Sequence, residues 1–344
     1  MNYMKKPIAL LLAVIMAACL ALAGCSKEEE PATREIFAMD TIMDISAYGD
    51  QGEAAVQAAV KRINELDALL STGKETSEVT VLNKNGGGQL SDDTNKLMKQ
   101  ALDLYESTNH VFDITIYPVM KLWGFTDQEY KVPSEKDLQE ALALVDASQI
   151  AYDPEKETVT FEKDGMQIDF GALGKGYASA AVCKLMKDMG VTSALVNLGG
   201  NVQTVGFKPD GSEWKVGIQD PEDADGMLGI IQTHDMAVIT SGGYERYFEE
   251  DGVTYHHIID PSTGSPADSG LLSVTIVCED GMLADGLSTS LFIMGKDKAV
   301  EYWRAHADEF QFVLCEKDGT LVVSNGLKDN FTPENENAKV EYVK

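Results

Sequence analysis

The stretch IDFGALGKGYA, residues 168–178, leads from an apolar run into a glycine-rich turn and then into a helix. A glycine-rich turn lets backbone N–H groups approach a phosphate, the N-terminus of the helix favours negative charge, and Lys175 adds a cation. The spacing differs from that of a P-loop, which has four residues between its glycines and a Ser or Thr after the lysine. The spacing alone leaves a phosphate site and a plain strand-to-helix turn equally open, and the carboxylate of Asp169 favours the site.

Around this stretch, helices and strands alternate without an internal repeat. Apolar residues at helical spacing predict helices at about residues 56–70, 97–105, 138–145, 178–189, 284–294 and 300–303, with Ser91 and Ser134 as N-caps. Strands are predicted at residues 158–161, 166–170, 193–197, 214–219, 237–240, 253–259, 271–278, 310–315 and 321–324, and Asp164-Gly165 predicts a hairpin turn between the first two. This order favours an α+β fold in one unit of one or two lobes.

The chain is strongly acidic. Its 344 residues include 28 Lys and Arg against 56 Asp and Glu, which gives a net charge of −28. A surface of this sign repels nucleic-acid phosphates and anionic lipid headgroups, so it argues against binding to nucleic acid or to a membrane surface. The 44% of hydrophobic residues is nevertheless typical of a globular protein with a large core. An anionic substrate would need a bound cation or a local basic pocket.

The N-terminal 24 residues have the pattern of a lipoprotein signal peptide. Lys5 and Lys6 precede an apolar run that is too short to span a membrane, and Leu22-Ala23-Gly24-Cys25 resembles a bacterial lipobox. Cleavage before Cys25 would leave this cysteine for lipidation and anchor the protein at the extracytoplasmic face of the cell membrane, with residues 25–34 as a solvated tether. The alternative is an ordinary secretory signal with an accidental cysteine. The folded domain is then expected at residues 35–335, with residues 336–344 as a tail.

Asp285 and Thr289 lie four residues apart on a predicted helix and therefore share one of its faces. A carboxylate and a hydroxyl are hard oxygen ligands suited to Mg²⁺, which takes few ligands from a protein and completes its shell with water or phosphate. The alternative is an N-cap Asp and a Thr that bonds to its own helical turn. The acidic composition favours the metal site, because an acidic protein needs a cation to hold an anionic substrate.

Two of the five histidines, His256 and His257, end a predicted strand. Strand alternation sends them to opposite faces, so at most one enters a given site. A neutral histidine is well suited to take a proton from a hydroxyl near pH 7. Zinc is a poor interpretation, because adjacent histidines on one strand do not ligate one ion easily and no HExxH or CxxC accompanies them. A surface pair on an edge strand is the alternative.

One further stretch, residues 111–125, combines a carboxylate with aromatic side chains. Asp113 lies in the run Val111-Phe112-Asp113, and Trp123 and Phe125 follow a proline-containing segment. These aromatics could face a planar ring, but core packing explains them equally well. Ser241 lacks the GxSxG pattern, which argues against a serine hydrolase.

Taken in chain order, nine stretches between about Met39 and Gly295 resemble the ApbE family of membrane-anchored FAD:protein FMN transferases. The stretches are AMDTIMDIS, STGKETSEVTVLN, FDITIYPVMKLWGF, IDFGALGKGYA, LVNLGGNV, WKVGIQDP, TSGGYERYF, HHIIDPSTGSP and LADGLSTSLFIMG. The resemblance implies an α+β fold with mixed or antiparallel sheets and flanking helices. It also implies that Mg²⁺ assists cleavage of the FAD pyrophosphate, that FMN is transferred to a threonine hydroxyl of an acceptor flavoprotein, and that AMP is released.

Carried over by position, the resemblance assigns roles to residues of this sequence. His257 would be the catalytic base, and the carbonyl of Ala172 with the side chains of Asp285 and Thr289 would hold Mg²⁺. The residues expected to contact FAD are Met39, Val111, Phe112, Asp113, Asp169, Lys175 and Ile258. Two positions depart from the family pattern: Gly73 stands where an aromatic is common, and Asp40 where glycine is common. Both departures concern the flavin pocket and not the metal site.

Two other functions remain open at this stage. An FAD pyrophosphatase would use water in place of threonine and release free FMN and AMP. A flavin-binding lipoprotein would hold FAD without turnover. The sequence does not identify the acceptor protein.

Overall fold

The computed structural model describes residues 30–344, and eight α-helices and nineteen strands lie in this range. The strands are β1 (Ala32–Ala38), β2 (Thr41–Ala47), β3 (Gly87–Gln89), β4 (Ile150–Asp153), β5 (Thr158–Phe161), β6 (Ala194–Leu198), β7 (Asn201–Val205), β8 (Trp214–Asp220), β9 (Asp223–Thr233), β10 (Ala237–Gly242), β11 (Tyr247–Glu250), β12 (Val253–His256), β13 (Ile259–Asp260), β14 (Ser265–Pro266), β15 (Leu271–Cys278), β16 (Gln311–Glu316), β17 (Leu321–Ser324), β18 (Phe331–Pro333) and β19 (Val340–Val343). The helices are α1 (Gly52–Leu70), α2 (Glu78–Asn85), α3 (Asp92–Ser107), α4 (Tyr117–Trp123), α5 (Glu135–Leu142), α6 (Gly171–Asp188), α7 (Gly281–Met294) and α8 (Lys296–Ala305).

The predicted signal peptide, Cys25 and the first part of the predicted tether lie outside the described residues. Within residues 30–344, no helix has the length and apolar character needed to cross a bilayer.

Nine strands form the central sheet, in the order β1-β2-β6-β7-β10-β15-β16-β17-β19. Neighbouring strands are antiparallel except for β17 and β19, which are parallel. Helices α1, α6 and α7 contact this sheet, and a second sheet, β18-β9-β8, packs near it. The predicted α+β fold with mainly antiparallel sheets and flanking helices is therefore confirmed.

The middle strands of the central sheet are buried on both faces. Alternate residues of β10, β15, β16 and β17 enter the large core under the helices: Ile239, Ile276, Phe312 and Val322. The residues between them enter a second core shared with β8, β9 and β18: Val238, Val277, Val313 and Val323. Strand periodicity sends successive side chains to opposite faces, so the same four strands serve both cores.

A third, smaller core lies between α4, α5 and the segment around Ile259. Trp123 and Phe125 belong to it and are 3% and 1% exposed, and the indole N–H of Trp123 donates to the carbonyl of Gly264 at 2.7 Å. Core packing, one of the two interpretations of these aromatics, is therefore their role. This small core supports the chain that carries His257.

The predicted hairpin at Asp164-Gly165 is wrong. Residues 158–161 form β5, which pairs with β3 and β4, but residues 166–170 form no strand. The side chain of Asn83 instead accepts from the Ile168 N–H at 2.7 Å and donates to the Ile168 carbonyl at 2.9 Å. A side-chain amide from α2 thus satisfies the backbone groups that a strand partner would have satisfied.

Both predicted ends of the folded domain also need correction. Strand β1 begins at Ala32, so the last three residues of the predicted tether belong to the central sheet. At the other end, β19 lies in the predicted tail and pairs in parallel with β17, and its Val343 is 8% exposed. Residues 32–34 and 340–343 are therefore part of the fold.

Candidate active site

Helices α6 and α7 approach each other closely at Gly176 and Gly281. A Cβ atom placed on Gly176 would lie 2.1 Å from the carbonyl oxygen of Gly281 and 2.5 Å from the Cβ of Asp285. No side chain fits between the two backbones at this point. The contact brings Gly176, in the second turn of α6, directly against the carboxylate of Asp285.

Asp285 is a buried carboxylate with neutral hydrogen-bond donors. It is 4% exposed, its Oδ2 accepts from the Gly176 N–H at 2.7 Å, and its Oδ1 accepts from the Asn201 side-chain amide at 3.0 Å. Burial raises the pKa of Asp285, and the charge of Lys175 opposes that rise. The N-cap of α7 is Asp280, so the N-cap interpretation of Asp285 is wrong.

The oxygen atoms around Asp285 suit a hard cation. The Gly176 N–H, which in a regular helix donates to the Ala172 carbonyl, donates to Asp285 Oδ2 at 2.7 Å, so Asp285 lies beside the backbone turn that carries a predicted metal ligand. Thr289 follows one turn after Asp285, and its hydroxyl lies 3.3 Å from that of Ser241. Within residues 30–344 no three His, Cys, Asp or Glu side chains group as a metal site. A cation here would thus take one carboxylate, a carbonyl and a hydroxyl, a set that fits Mg²⁺ with substrate phosphate or water.

The charge of Lys175 acts on both the predicted metal ligand Asp285 and the predicted base His257. This charge opposes the rise in the pKa of Asp285 and helps to lower the pKa of His257. Asp169 lies at the start of the same helix, where its Oδ1 accepts from the Gly171 N–H at 2.8 Å. The N-terminus of α6, the cation Lys175 and the carboxylate Asp169 therefore lie together on the glycine-rich stretch. This arrangement supports its interpretation as a phosphate site.

The two histidines have different environments. In His256, Nε2 donates to the Ala267 carbonyl at 3.1 Å and Nδ1 accepts from the Ile258 N–H at 3.3 Å, so both ring nitrogens are occupied. In His257, Nδ1 donates to the Arg246 carbonyl at 3.2 Å, which leaves the lone pair of Nε2 for another proton. Burial, with the charges of Arg246 and Lys175, lowers the pKa of His257 to about 3. His257 is thus neutral near pH 7 and has the tautomer of a proton acceptor.

Arg246 was not singled out from the sequence, and the structure places it at the centre of the site. Its carbonyl accepts both the backbone N–H of His257 at 3.1 Å and the ring N–H of the same residue. Its guanidinium charge helps to lower the pKa of His257 and opposes the rise in the pKa of Asp169. Only the stretch TSGGYERYF, which contains Arg246, gave a sequence signal for it.

A cavity of about 450 Å³ borders the predicted contact stretch at residues 111–113. Its lining includes Val111 and Asp113, together with Tyr105, Asp260 and Met294. The volume lies in the range of small-molecule sites, but Lys175, His257 and Asp285 are not among its lining residues. The stretch that carries Val111 follows two residues with left-handed backbone, Asn109 (φ 53°) and His110 (φ 68°).

The Asp113 carboxylate is occupied by protein donors. It accepts from the Thr115 N–H at 2.7 Å, from the Thr115 hydroxyl at 2.5 Å and from the Ala147 N–H at 3.1 Å. Its neighbour Phe112 is 3% exposed in the large core. A ligand in the cavity would therefore meet mainly the backbone of this stretch, because these two side chains are committed to the fold.

The turn between β1 and β2 carries the first predicted contact, Met39. Met39 and Asp40 have φ angles of 48° and 60°, and the Met39 N–H donates to Asp67 Oδ1 at 3.1 Å. A left-handed backbone favours glycine, which explains why glycine suits position 40.

The other departure from the family pattern, Gly73, is exposed and has negative φ, so nothing in the fold requires glycine there. Ile258, the last predicted contact, is 4% exposed next to His257.

A model of the ApbE family matches residues 39–314. The chain belongs to the ApbE family. It is 32% identical over 316 residues to an FAD:protein FMN transferase of Haemophilus influenzae, covering 87% of this chain and 90% of that protein. It is also 32% identical to an FAD:protein FMN transferase of Treponema pallidum, covering 78% of this chain and 80% of that one.

Solved ApbE structures share the fold. The ApbE protein of Thermotoga maritima superposes with a TM-score of 0.82 at 32% identity and covers 88% of this chain and 99% of its own. The flavin transferase ApbE of Vibrio cholerae superposes with a TM-score of 0.79 at 25% identity, with the same coverage of both chains. The ApbE match contains every predicted catalytic, FAD-contacting and metal-binding residue of this chain, and it ends before β19.

Proposed function

We propose that this protein transfers FMN from FAD to an acceptor protein, as the names of its curated relatives state for them. The observation that carries the proposal is that Lys175 adjoins Gly176, whose N–H donates to Asp285 at 2.7 Å, and lies near enough for its charge to act on both Asp285 and a neutral His257. A phosphate cradle, an oxygen-ligand set and a proton acceptor are the parts that phosphoryl transfer to a hydroxyl requires.

We propose that the acceptor group is a threonine hydroxyl. Its oxygen forms a bond to the phosphorus of the FMN half of FAD, the bond from that phosphorus to the bridging oxygen breaks, and AMP leaves with that oxygen. The hydroxyl proton goes to Nε2 of His257, whose Nδ1–H is held by the Arg246 carbonyl. Lys175, near the N-terminus of α6, neutralises charge on the pyrophosphate.

We propose Mg²⁺ as the cation, held by the Ala172 carbonyl, Asp285 and Thr289. When bound, it would neutralise the pyrophosphate and polarise the phosphorus under attack. The net charge of −28 supports this assignment, because an acidic protein repels FAD unless cations line the site. The remaining predicted contacts, Met39, residues 111–113, Asp169 and Ile258, would position FAD.

The assay uses residues 30–344 with FAD, Mg²⁺ and a purified acceptor domain, and it follows flavin mass on the acceptor together with released AMP. A gain of flavin mass with equal AMP supports transfer. AMP with free FMN and no labelled acceptor would instead identify an FAD pyrophosphatase. Retention of FAD without AMP would leave a flavin-binding protein. Chelation of Mg²⁺ by EDTA should abolish labelling, and added Mg²⁺ should restore it.

We further propose that Cys25 is lipidated and holds the protein at the extracytoplasmic face of the membrane. The support is the lipobox pattern together with the start of β1 at Ala32, which leaves a short segment between anchor and fold. Expression of the full chain with labelled palmitate should label the parent and not Cys25→Ser. If both chains remained unlabelled and soluble, the secretory-signal alternative would hold.

A further inference from the structure

We propose that the tip of the β1–β2 hairpin is a docking surface for the acceptor protein, and this proposal rests on the proposed function. The surface, called here the tip patch, consists of Phe37, Ile42, Glu35 and Asp44. Phe37 is 71% exposed and Ile42 is 58% exposed, the two highest values among the large apolar side chains of residues 30–344. The hairpin register pairs Phe37 directly with Ile42.

The tip patch lies on a part of the central sheet that has no cover. Met43 and Ile45 of β2 face the helices and are fully buried, so the alternate residues Phe37, Ile42 and Asp44 face the other side. On that side the core shared with β8, β9 and β18 reaches the central sheet from Val202 of β7 onwards and includes no residue of β1 or β2. An apolar pair that no element of the described chain covers is typical of an interaction surface.

The charges of the tip patch also lack partners within the described chain. Glu35 and Asp44 are direct cross-strand neighbours, and among residues 30–344 neither forms an ion pair. Like charges directly opposite each other destabilise a strand pair. A basic side chain on a docked partner would relieve this repulsion, so the partner surface should combine an apolar side chain with Lys or Arg.

The tip patch is continuous with the candidate active site. The turn between β1 and β2 carries Met39, and Thr41 touches the next turn of the sheet, where a Cβ on Gly199 would lie 2.2 Å from the Thr41 hydroxyl oxygen. That turn leads into Asn201, whose amide donates to Asp285. A partner on the tip patch therefore borders the same end of the sheet as the predicted metal ligands.

The spacing favours a folded partner over a short peptide. Four strand spacings separate β1 from β10, or about 19 Å. Strand β10 ends at Gly242, and a Cβ on Gly243 would lie 2.8 Å from the ring of His256, beside His257. A domain of about 100 residues has a radius of gyration of about 13 Å, so it can cover the tip patch and still insert a threonine loop near His257.

The test compares the double variant Phe37→Ser/Ile42→Ser with the parent, using the acceptor domain that the parent labels in the flavin-transfer assay. We expect the KM for the acceptor to rise about tenfold or more, with kcat and the KM for FAD unchanged. The matched control is Phe207→Ser, which removes an apolar side chain of 43% exposure beyond the opposite end of β7. Thermal melting of all three proteins checks the fold.

A charge variant tests the partner's chemistry. Glu35→Lys should raise the KM for the acceptor and weaken its dependence on salt, whereas Glu301→Lys, an exposed position on α8, should leave both unchanged. A parental KM in the double variant would overturn the docking proposal while the proposed function stands. The docking proposal would also be overturned if the double variant kept the parental KM and lost only self-association, measured by light scattering, or only binding to lipid vesicles. If the parent labels no acceptor, both proposals fail.

Discussion

The adjacent histidines show how two identical side chains acquire different chemistry. His256 has both ring nitrogens bonded to backbone groups, whereas His257 bonds only through Nδ1. The strand predicted over residues 253–259 breaks after His256, and β13 resumes at Ile259. The backbone N–H of His257 still donates to the Arg246 carbonyl, and its ring Nδ1 bonds to the same oxygen, so Nε2 is the ring nitrogen left for a substrate.

The variant His257→Ala should retain FAD binding and lose flavin transfer, because the proton acceptor is removed while the phosphate cradle stays intact. We expect a loss of about 10²- to 10⁴-fold in kcat. Flavin fluorescence measures FAD binding, and AMP release measures turnover. His306→Ala, which removes a ring bonded to a helix carbonyl on α8, is the matched control. Parental turnover in His257→Ala would show that another group takes the proton.

The low pKa of His257 predicts an unusual pH profile for kcat/KM with FAD. A base with the ordinary histidine pKa of about 6.5 would lose about three quarters of its neutral form at pH 6. Burial and two neighbouring cations lower the pKa of His257 to about 3, so its neutral form persists at pH 6. We expect kcat/KM to change by less than about twofold between pH 8 and pH 6. A fall in kcat/KM with a midpoint near pH 6.5 would show that burial and the neighbouring cations do not lower the pKa of His257.

The variant Asp285→Asn should weaken the dependence of activity on Mg²⁺. It removes the one buried negative charge of the predicted ligand set and keeps an oxygen that can accept from Gly176. We expect the Mg²⁺ concentration for half-maximal activity to rise about tenfold or more. The control is Asp280→Asn, the N-cap of the same helix. An unchanged Mg²⁺ titration would exclude Asp285 as a ligand.

Among the elements, the crossing of α6 and α7 organises the site. Gly176 and Gly281 let two helix backbones touch, and this contact places the second turn of α6 against Asp285. Helix α6 begins with the glycine-rich stretch Gly171–Gly176, and α7 follows the buried strand β15. Residues more than 100 positions apart in the chain thereby form one site.

The variant Gly176→Ala should therefore disrupt both stability and the site. Its Cβ would lie 2.1 Å from a backbone carbonyl that has no room to move away, and overpacking of this kind costs about 1–3 kcal/mol. Gly174→Ala is the control on the same helix, because its nearest neighbour is 3.9 Å away. Urea unfolding should show a lower free energy of unfolding for Gly176→Ala only. Equal loss in both variants would indicate a general helix effect.

For the whole molecule, the first and last strands of residues 30–344 form the two edges of the central sheet. Strand β1 forms one edge, and β19 forms the other through its parallel pairing with β17. The edge at β19 is held by the buried side chain of Val343 and by the ion pair between Lys296 and Glu341, at 2.8 Å. Strand β19 is therefore joined to the fold by its side chains as well as by its backbone pairing.

The variant Val343→Ser should lower the free energy of unfolding by about 1–2 kcal/mol, because it removes a buried aliphatic side chain. Tyr342→Ser, at a neighbouring position with 38% exposure, should change stability much less. Urea unfolding of both variants at one temperature measures the difference. Similar losses would mean that β19 contributes through its backbone pairing and not through the core.

Local patterns in the sequence determined most helices, the strands with alternating or continuous apolar residues, and the chemistry of single residues. The N-caps at Ser91 and Ser134, the strand Leu321–Ser324 and the helix that contains Asp285 and Thr289 could all be predicted, because their signals lie within a few residues. Strands β1, β2, β7 and β9 carry mixed polar and apolar residues, and their signals were too weak to predict.

Tertiary structure alone decided the contacts between distant segments. Asn83 completes the backbone bonds of Ile168 and so replaces the predicted hairpin, and β19 joins the sheet beside β17. The same holds for the site: Arg246 orients His257, and Asn201 with Gly176 holds Asp285. A sequence pattern reports which groups a segment offers, whereas hydrogen-bond partners and desolvation depend on which other segments pack against it.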